Sequence, residues 1–79
     1  FARAEIAGIE ERLATLTARE REVLAAVVDG KLNKQIAAEL GVIEQTIKFH
    51  RARIMKRMHA RTVAELMHMA ARVGTTRKP

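Results

Sequence analysis

The stretch Gly30-Lys-Leu-Asn-Lys-Gln-Ile-Ala-Ala-Glu-Leu-Gly-Val-Ile-Glu-Gln-Thr-Ile-Lys-Phe-His50 predicts two helices joined by a tight turn. Asn33 suits the N-cap of the first helix, because its side-chain oxygen can accept from a free backbone amide. Gly41 ends that helix, and a second amphipathic helix begins three residues later at Glu44. Ala37 is small enough to let the two helices approach closely. The spacing favours a helix-turn-helix, although an ordinary helical hairpin of a bundle has the same pattern.

The helix expected from Glu44 to Met58 has two chemically different faces. An advance of about 100° per residue places Ile47, Ile54 and Met58 on one buried stripe. The opposite face collects Gln45, Phe49, Ala52 and Lys56, and it is flanked by Lys48 and Arg53. This second face therefore combines basic, polar and aromatic side chains, as expected for a helix that enters the major groove of DNA.

These side chains suggest a division of roles on DNA. Gln45 and Lys48 can read base edges, glutamine toward adenine and lysine toward guanine. Phe49 is unfavourable in water unless it is covered, and in the major groove it can contact a thymine methyl; packing against another protein surface is the alternative. Suited to phosphate contacts are Thr46, Arg51, Arg53 and, at the start of the preceding helix, Lys34.

The segment before the helix-turn-helix predicts a supporting helix. Thr17-Ala-Arg-Glu20 is a capping box, in which side chain and backbone satisfy each other's free groups. The helix that follows is expected to bury Val23, Leu24, Val27 and Val28 and to stop at Gly30. Its acids Glu20 and Glu22 offer Arg51 an alternative partner to phosphate.

The two ends of the chain complete an all-α prediction. Residues 1–15 and the adjoining Leu16 carry a narrow apolar stripe, typical of a linker helix: Ile6, Ile9, Leu13 and Leu16. A second capping box, Thr62-Val-Ala-Glu65, opens a last helix that Gly74 closes. One face of this helix collects Val63, Leu66, Met67, Ala70 and Val73, and the tail of residues 75–79 is polar, basic and expected to be disordered. Met67 and Met69 suit either the core or a small dimer seam.

Charge is distributed unevenly along the chain. Residues 1–30 hold four basic and six acidic side chains, whereas residues 31–79 hold eleven basic and three acidic ones. The asymmetry favours a half that binds a polyanion, although a solvated surface can acquire such an imbalance by chance.

Size and composition exclude several classes of function. A chain of 79 residues has no room for a core and an enclosed substrate cavity, and it has no cysteine. His50, His59 and His68 lack metal-ligand spacing, and His50 is expected at the boundary of the buried stripe. No catalytic triad, carboxylate pair or phosphate-binding glycine loop is present. We therefore expect no enzyme activity, cofactor or metal. Without a membrane span or signal peptide, we expect a cytoplasmic protein, and a start without Met suggests a longer chain.

Three stretches together resemble the LuxR-type helix-turn-helix domain, in particular the FixJ/NarL-like response regulators. They are Leu16-Thr-Ala-Arg-Glu-Arg-Glu-Val-Leu24, Gly30-Lys-Leu-Asn-Lys-Gln-Ile-Ala37 and Leu40-Gly-Val-Ile-Glu-Gln-Thr-Ile-Lys-Phe-His50, continued by Arg-Ala-Arg-Ile-Met-Lys-Arg-Met58. The resemblance covers residues 16–74 and implies a four-helix (tetrahelical) DNA-binding bundle. Residues 1–15 would be the linker from a phosphoacceptor receiver domain that is not in this sequence.

The resemblance also implies particular contacts and partners. Lys48 and Phe49 would contact DNA bases, and Asn33 or Lys34, with Thr46 and nearby basic residues, would contact phosphates. The last helix would form a homodimer, with each recognition helix in the major groove of one half-site. One position departs from the family: Ile43 stands where the recognition helix usually has a serine N-cap, and the loss of that cap costs about 1 kcal/mol. Glu44 offsets part of this cost through the helix dipole.

Two other functions are consistent with parts of the pattern. A promoter-recognising region of a sigma factor also contains a helix-turn-helix, but the Thr17 capping box and the Asn33-Lys34 pair favour the LuxR type. A protein-interaction module would use Phe49 and the methionines as its binding face. A salt-dependent affinity for DNA is the property that separates a DNA-binding domain from such a module.

Overall fold

Five helices make up the part of the chain that the computed structural model describes, residues 2–73, and no strand is present there. They are α1 (Ala2–Ala14), α2 (Ala18–Val28), α3 (Asn33–Leu40), α4 (Glu44–Met58) and α5 (Val63–Val73). The expected all-α bundle of four helices, preceded by an N-terminal helix, is confirmed. The expected helix stop at Gly74 and the tail of residues 75–79 lie outside the described residues.

Helix α4 lies at the centre of the bundle, since it contacts each of the other four helices. Its expected buried stripe is confirmed: Ile47 and Ile54 are fully buried and Met58 nearly so. They pack in one core with Val23, Leu24 and Val27 of α2, Ile36 and Ala37 of α3, and Leu66 of α5. Val28, which we expected to be buried, is only half-buried at the edge of this core.

Two turns require a left-handed backbone. Gly41 ends α3 with φ of 71°, and Gly30 follows α2 with φ of 85°, where a side chain would be strained. His59 ends α4 in the same conformation, with φ of 57°, although it is not a glycine. These sharp ends allow short connections, so α3 and α4 meet as a helix-turn-helix.

The capping boxes behave differently at the two sites where we expected them. At α2 both halves form: the Glu20 amide donates to Thr17 Oγ1 at 3.1 Å, and the Thr17 amide donates to Glu20 Oε1 at 3.0 Å. At α5 the Glu65 amide donates to Thr62 Oγ1, but Glu65 Oε1 accepts from the amide of Arg61 rather than from that of Thr62. In the second box, the carboxylate therefore accepts from the amide one residue before the expected one.

The N-terminal helix α1 packs on the bundle through its apolar stripe. Ile9 and Leu13 are buried with Leu16, which follows the helix in the turn before α2. Arg72 of α5 pairs with Glu5 of α1 at 2.8 Å. The segment expected as a linker is therefore held against α4 and α5.

On α5, Leu66 and Ala70 are buried, whereas Val63 and Met67 are each 37% exposed. The five apolar residues that we expected on one face are thus divided between core and surface. Met69 packs partly against the core. No described helix is both long enough and apolar enough to span a bilayer.

Candidate nucleic-acid interface

The outer face of α4 presents the side chains that the helical wheel placed there. Phe49 is 58% exposed, and the other exposed positions of this face are Gln45, Lys48, Ala52, Arg53 and Lys56. Because Ile47 and Ile54 hold the opposite face in the core, this surface is fixed relative to the bundle. Glu44 at the first turn is the one acid of α4, so the exposed face is otherwise basic, polar or apolar.

Two apolar residues occupy the N-caps of the helix-turn-helix. Leu32 precedes α3 and Ile43 precedes α4, both with extended backbones, and neither makes a side-chain cap hydrogen bond. They are 69% and 70% exposed. The missing cap at Ile43 is thus confirmed, whereas the N-cap role predicted for Asn33 is wrong: Leu32 occupies that position. At α3, Gln35 compensates in part, since its Oε1 accepts from the Leu32 amide at 2.8 Å.

Asn33 instead joins the two helices of the motif. Its Oδ1 accepts a hydrogen bond of 2.7 Å from Arg51 Nη1, which links the first turn of α3 to the middle of α4. Arg51 therefore pairs with neither Glu20 nor Glu22, the alternative partners that the sequence offered. Both side chains are half-buried, so they lie at the edge of the interface.

The first turn of α3 also carries an exposed lysine. Lys34 lies next to Asn33 near a helix N-terminus, where free backbone amides and the helix dipole favour an anion. Thr46 lies in the first turn of α4 and is half-buried. The N-termini of both helices thus carry groups that can bind phosphate.

A carboxylate of α2 anchors two arginines of the recognition helix. Glu20 is 2% exposed and accepts from Arg53 Nε at 3.1 Å and from Arg57 Nη1 at 3.3 Å. Arg57 also donates to the carbonyl of Thr15 at 2.7 Å. Arg53, which we expected at phosphate, is thus half-exposed and already paired with an acid.

The pKa of Glu20 reflects this environment. Burial raises it, but the hydrogen bond from the Thr17 amide and the two arginines outweigh burial, so the pKa lies below the usual value for a glutamate. The carboxylate is therefore ionised at neutral pH and places a negative charge between α2 and α4.

The Phe49 ring has two neighbours on its own helix. The guanidinium carbon of Arg53 lies 5.6 Å from the ring centroid, within the range of a cation–π contact. The ring of His50 is tilted by 57° to that of Phe49, with 6.1 Å between centroids. His50 is half-buried, as expected for a boundary residue.

Sequence reasoning missed three features of this surface. Arg57 was not assigned a role, and Glu20 was considered as a cap and as a partner of Arg51, but not as the partner of Arg53 and Arg57. The spacing of Arg53 and Arg57 places them on one face of a helix, where two like charges repel each other unless an acid lies near them. The exposed Leu32 was also missed, because Asn33 was taken as the cap.

A family model described as bacterial regulatory proteins, luxR family, matches residues 14–70. The chain belongs to the LuxR family. This match favours the LuxR-type interpretation over the sigma-factor region.

Relatives that match the chain include a nodulation protein and a transcriptional regulatory protein. Nodulation protein W of Bradyrhizobium diazoefficiens is 42% identical over 69 residues, covering 87% of this chain and 30% of that protein. The transcriptional regulatory protein FixJ of Rhizobium meliloti is 46% identical over 66 residues, covering 84% of this chain and 32% of that protein. The chain therefore spans about a third of the length of these relatives, and neither is named as an enzyme.

A solved structure supports the same fold. Full-length FixJ from B. japonicum superposes with a TM-score of 0.84 at 37% identity, over 92% of this chain and 36% of that one. The response regulator StyR gives the same TM-score at 41% identity, over 89% of this chain and 35% of that one. The resemblance to FixJ-type regulators is thus confirmed in both sequence and fold.

Proposed function

We propose that this chain is the sequence-specific DNA-binding domain of a bacterial two-component response regulator, with α4 in the major groove. The observation that carries the proposal is the two-sided α4: one face is buried in the core, and the other presents basic, polar and aromatic side chains to solvent. The major groove of B-DNA is about 12 Å wide and admits one such helix. Regulators similar to this chain, FixJ among them, support the assignment.

We assign base reading to the centre of the exposed face. Lys48 can donate to guanine and Gln45 can bond to adenine, while Phe49 and Ala52 offer apolar contact to thymine methyls. All four side chains are exposed and lie on the surface of a helix whose other face is buried. The rigid attachment of α4 supports this assignment, because base recognition requires donors held in register with the bases.

We assign phosphate contacts to the edges of the same surface. Lys34 and Thr46 lie near the N-termini of α3 and α4. Lys56 lies toward the other end of the exposed face of α4, called the reading face below (Gln45, Lys48, Phe49, Ala52, Arg53 and Lys56). Asn33 and Arg51 are hydrogen-bonded to each other. Each can therefore contact the DNA backbone only through the polar atoms that this bond does not use. Such contacts position a domain on the duplex and carry no sequence information directly.

The wider organisation is part of the proposal. Residues 16–74 form the DNA-binding domain, residues 1–15 are the linker from a receiver domain, and the protein acts in the cytoplasm. We also propose a homodimer on DNA through α5, for which the exposed Val63 and Met67 offer an apolar surface one helical turn long. The greater length of the relatives supports a further domain in the complete protein.

Selection of bound sequences from a random DNA pool, followed by salt titration, tests the proposal. We expect log affinity to fall linearly with log salt for both the selected site and random DNA. Lys48→Ala should weaken the selected site by about 1–3 kcal/mol and relax one base position, whereas Lys34→Ala should weaken all sequences alike.

Arg61→Ala is the control for a general loss of charge. Arg61 is exposed in the cleft between α1 and α5, away from the reading face. Equal losses for Lys48→Ala on selected and random DNA would remove Lys48 from the base-reading set. If no sequence is enriched and affinity does not depend on salt, the chain is a protein-interaction module instead.

A further inference from the structure

Arg53 occupies a place between a buried acid and an exposed aromatic ring. Its Nε donates to Glu20 Oε2 at 3.1 Å, while its guanidinium carbon lies 5.6 Å from the centroid of the Phe49 ring. Phe49 and Arg53 are separated by four residues, so they are neighbours on the outer surface of α4. One side chain thus links α2 to the reading face.

The acid at one end of this link is held from several directions. The Glu20 side chain is 2% exposed, and its Oε1 accepts from the Thr17 amide at 3.0 Å and from Arg57 Nη1 at 3.3 Å. The carboxylate therefore cannot follow a displaced Arg53 toward solvent without breaking the cap of α2. Arg53 is anchored to the body of the domain rather than to its own helix alone.

The residue at the other end needs such an anchor. Phe49 is 58% exposed, and the core does not restrict its ring. A guanidinium against the ring favours one orientation over the others, and the tilted His50 ring, at 6.1 Å, lies within the range of aromatic pairs. The ring of Phe49 is thus oriented before DNA arrives.

We infer that Arg53 is a positioning residue that holds the Phe49 ring for base contact by way of Glu20, and that it is not a phosphate ligand. This inference rests on the proposed function, since it assumes that Phe49 meets a base. Specificity at the base pair under Phe49 then depends on Glu20, a residue of another helix that does not itself reach the DNA.

The two roles of Arg53 predict different salt dependence. A phosphate ligand releases a counterion, so its loss weakens all sequences alike and reduces the salt slope by about 1. A positioning residue affects only the sequence that Phe49 reads. We therefore expect Arg53→Ala to lower the preference for the selected base pair by about two- to fivefold, the value of an exposed cation–π contact. The salt slope should not change.

A double-mutant cycle on the selected site and on random DNA tests this inference. Phe49→Ala should reduce the preference at one base pair, and Arg53→Ala should have no further effect in the Phe49→Ala background. Glu20→Gln keeps both arginines and should reduce the same preference, with folding checked by circular dichroism at the assay temperature. Lys56→Ala is the matched control, since it removes a cation from the same face and should reduce the salt slope by about 1 on both DNAs.

Several outcomes would overturn the inference. The first is a uniform loss with a reduced salt slope for Arg53→Ala, which would make Arg53 a phosphate ligand. The second is an additive effect of Arg53→Ala in the Phe49→Ala background. The third is tighter binding to all sequences by Glu20→Gln, which would mean that the acid had been withholding Arg53 from phosphate. Failure of the proposed function is distinguishable, since the wild-type chain would then show neither a selected site nor a salt-dependent affinity.

Discussion

The replacement Glu20→Gln isolates the charge that joins α2 to the recognition helix. Glutamine keeps the volume of the side chain and an oxygen for the Thr17 amide, so the cap of α2 is retained. What is lost is the negative charge facing Arg53 and Arg57, at 3.1 and 3.3 Å, and the oxygen that accepts from Arg53 Nε, because the amide nitrogen in its place is a donor. A hydrogen bond to a charged group contributes about 1 kcal/mol more than a neutral one.

Solvent reduces that contribution, because the side chains of Arg53 and Arg57 are 44% and 32% exposed. For two contacts we expect a total loss of about 1–2 kcal/mol in the free energy of unfolding at neutral pH. In a domain of this size the melting temperature falls by about 4–8 °C per kcal/mol. Glu22→Gln is the control: within the described residues Glu22 makes an exposed pair with Arg19, so its loss should not exceed about 0.5 kcal/mol.

The pH dependence identifies the cause of the loss. The pKa of Glu20 is lowered in the folded state, so its stabilisation is fully present above the unfolded pKa of about 4.3 and disappears as the pH falls through the folded pKa. Urea unfolding of both proteins between pH 7 and pH 3 should therefore show a difference that shrinks in acid. A difference that persists unchanged at pH 3, or equal stability at pH 7, would refute an electrostatic role for Glu20.

The remaining predictions concern the ends of the recognition helix. Ile43→Ser should raise the free energy of unfolding by about 0.5–1 kcal/mol, because the extended backbone at the N-cap is in place and a 70% exposed isoleucine has little buried area to lose. Unchanged or lower stability in urea would show that Ile43 makes a contact that outweighs the cap. His59→Gly should stabilise the domain by up to about 1 kcal/mol, since glycine adopts a φ of 57° without strain. A loss of stability in the same assay would mean that the exposed His59 side chain contributes more than its backbone conformation costs.

Interactions between residues close in the chain were predictable from the sequence. The capping box at Thr17 forms because both partners lie within one turn, whatever the rest of the chain does. The buried stripe of Ile47, Ile54 and Met58 follows from helical periodicity alone. The same reasoning placed Gln45 and Lys48 on the exposed face of α4. It failed by one residue at the start of α3, where the N-cap is Leu32: its side chain caps no amide, and Gln35 Oε1 accepts from the Leu32 amide instead.

Helical periodicity, glycine positions and local caps were thus sufficient to predict five helices, the close succession of α3 and α4, and the exposed face of α4 around Phe49. Tertiary packing decided the partners of the arginines: Arg51 with Asn33, and Arg53 and Arg57 with Glu20, across separations of 18, 33 and 37 residues. It also left Val63 and Met67 of α5 partly exposed. The physical reason is that a side chain's face on a helix depends on local geometry, whereas its partner depends on which helices pack together and at what angle.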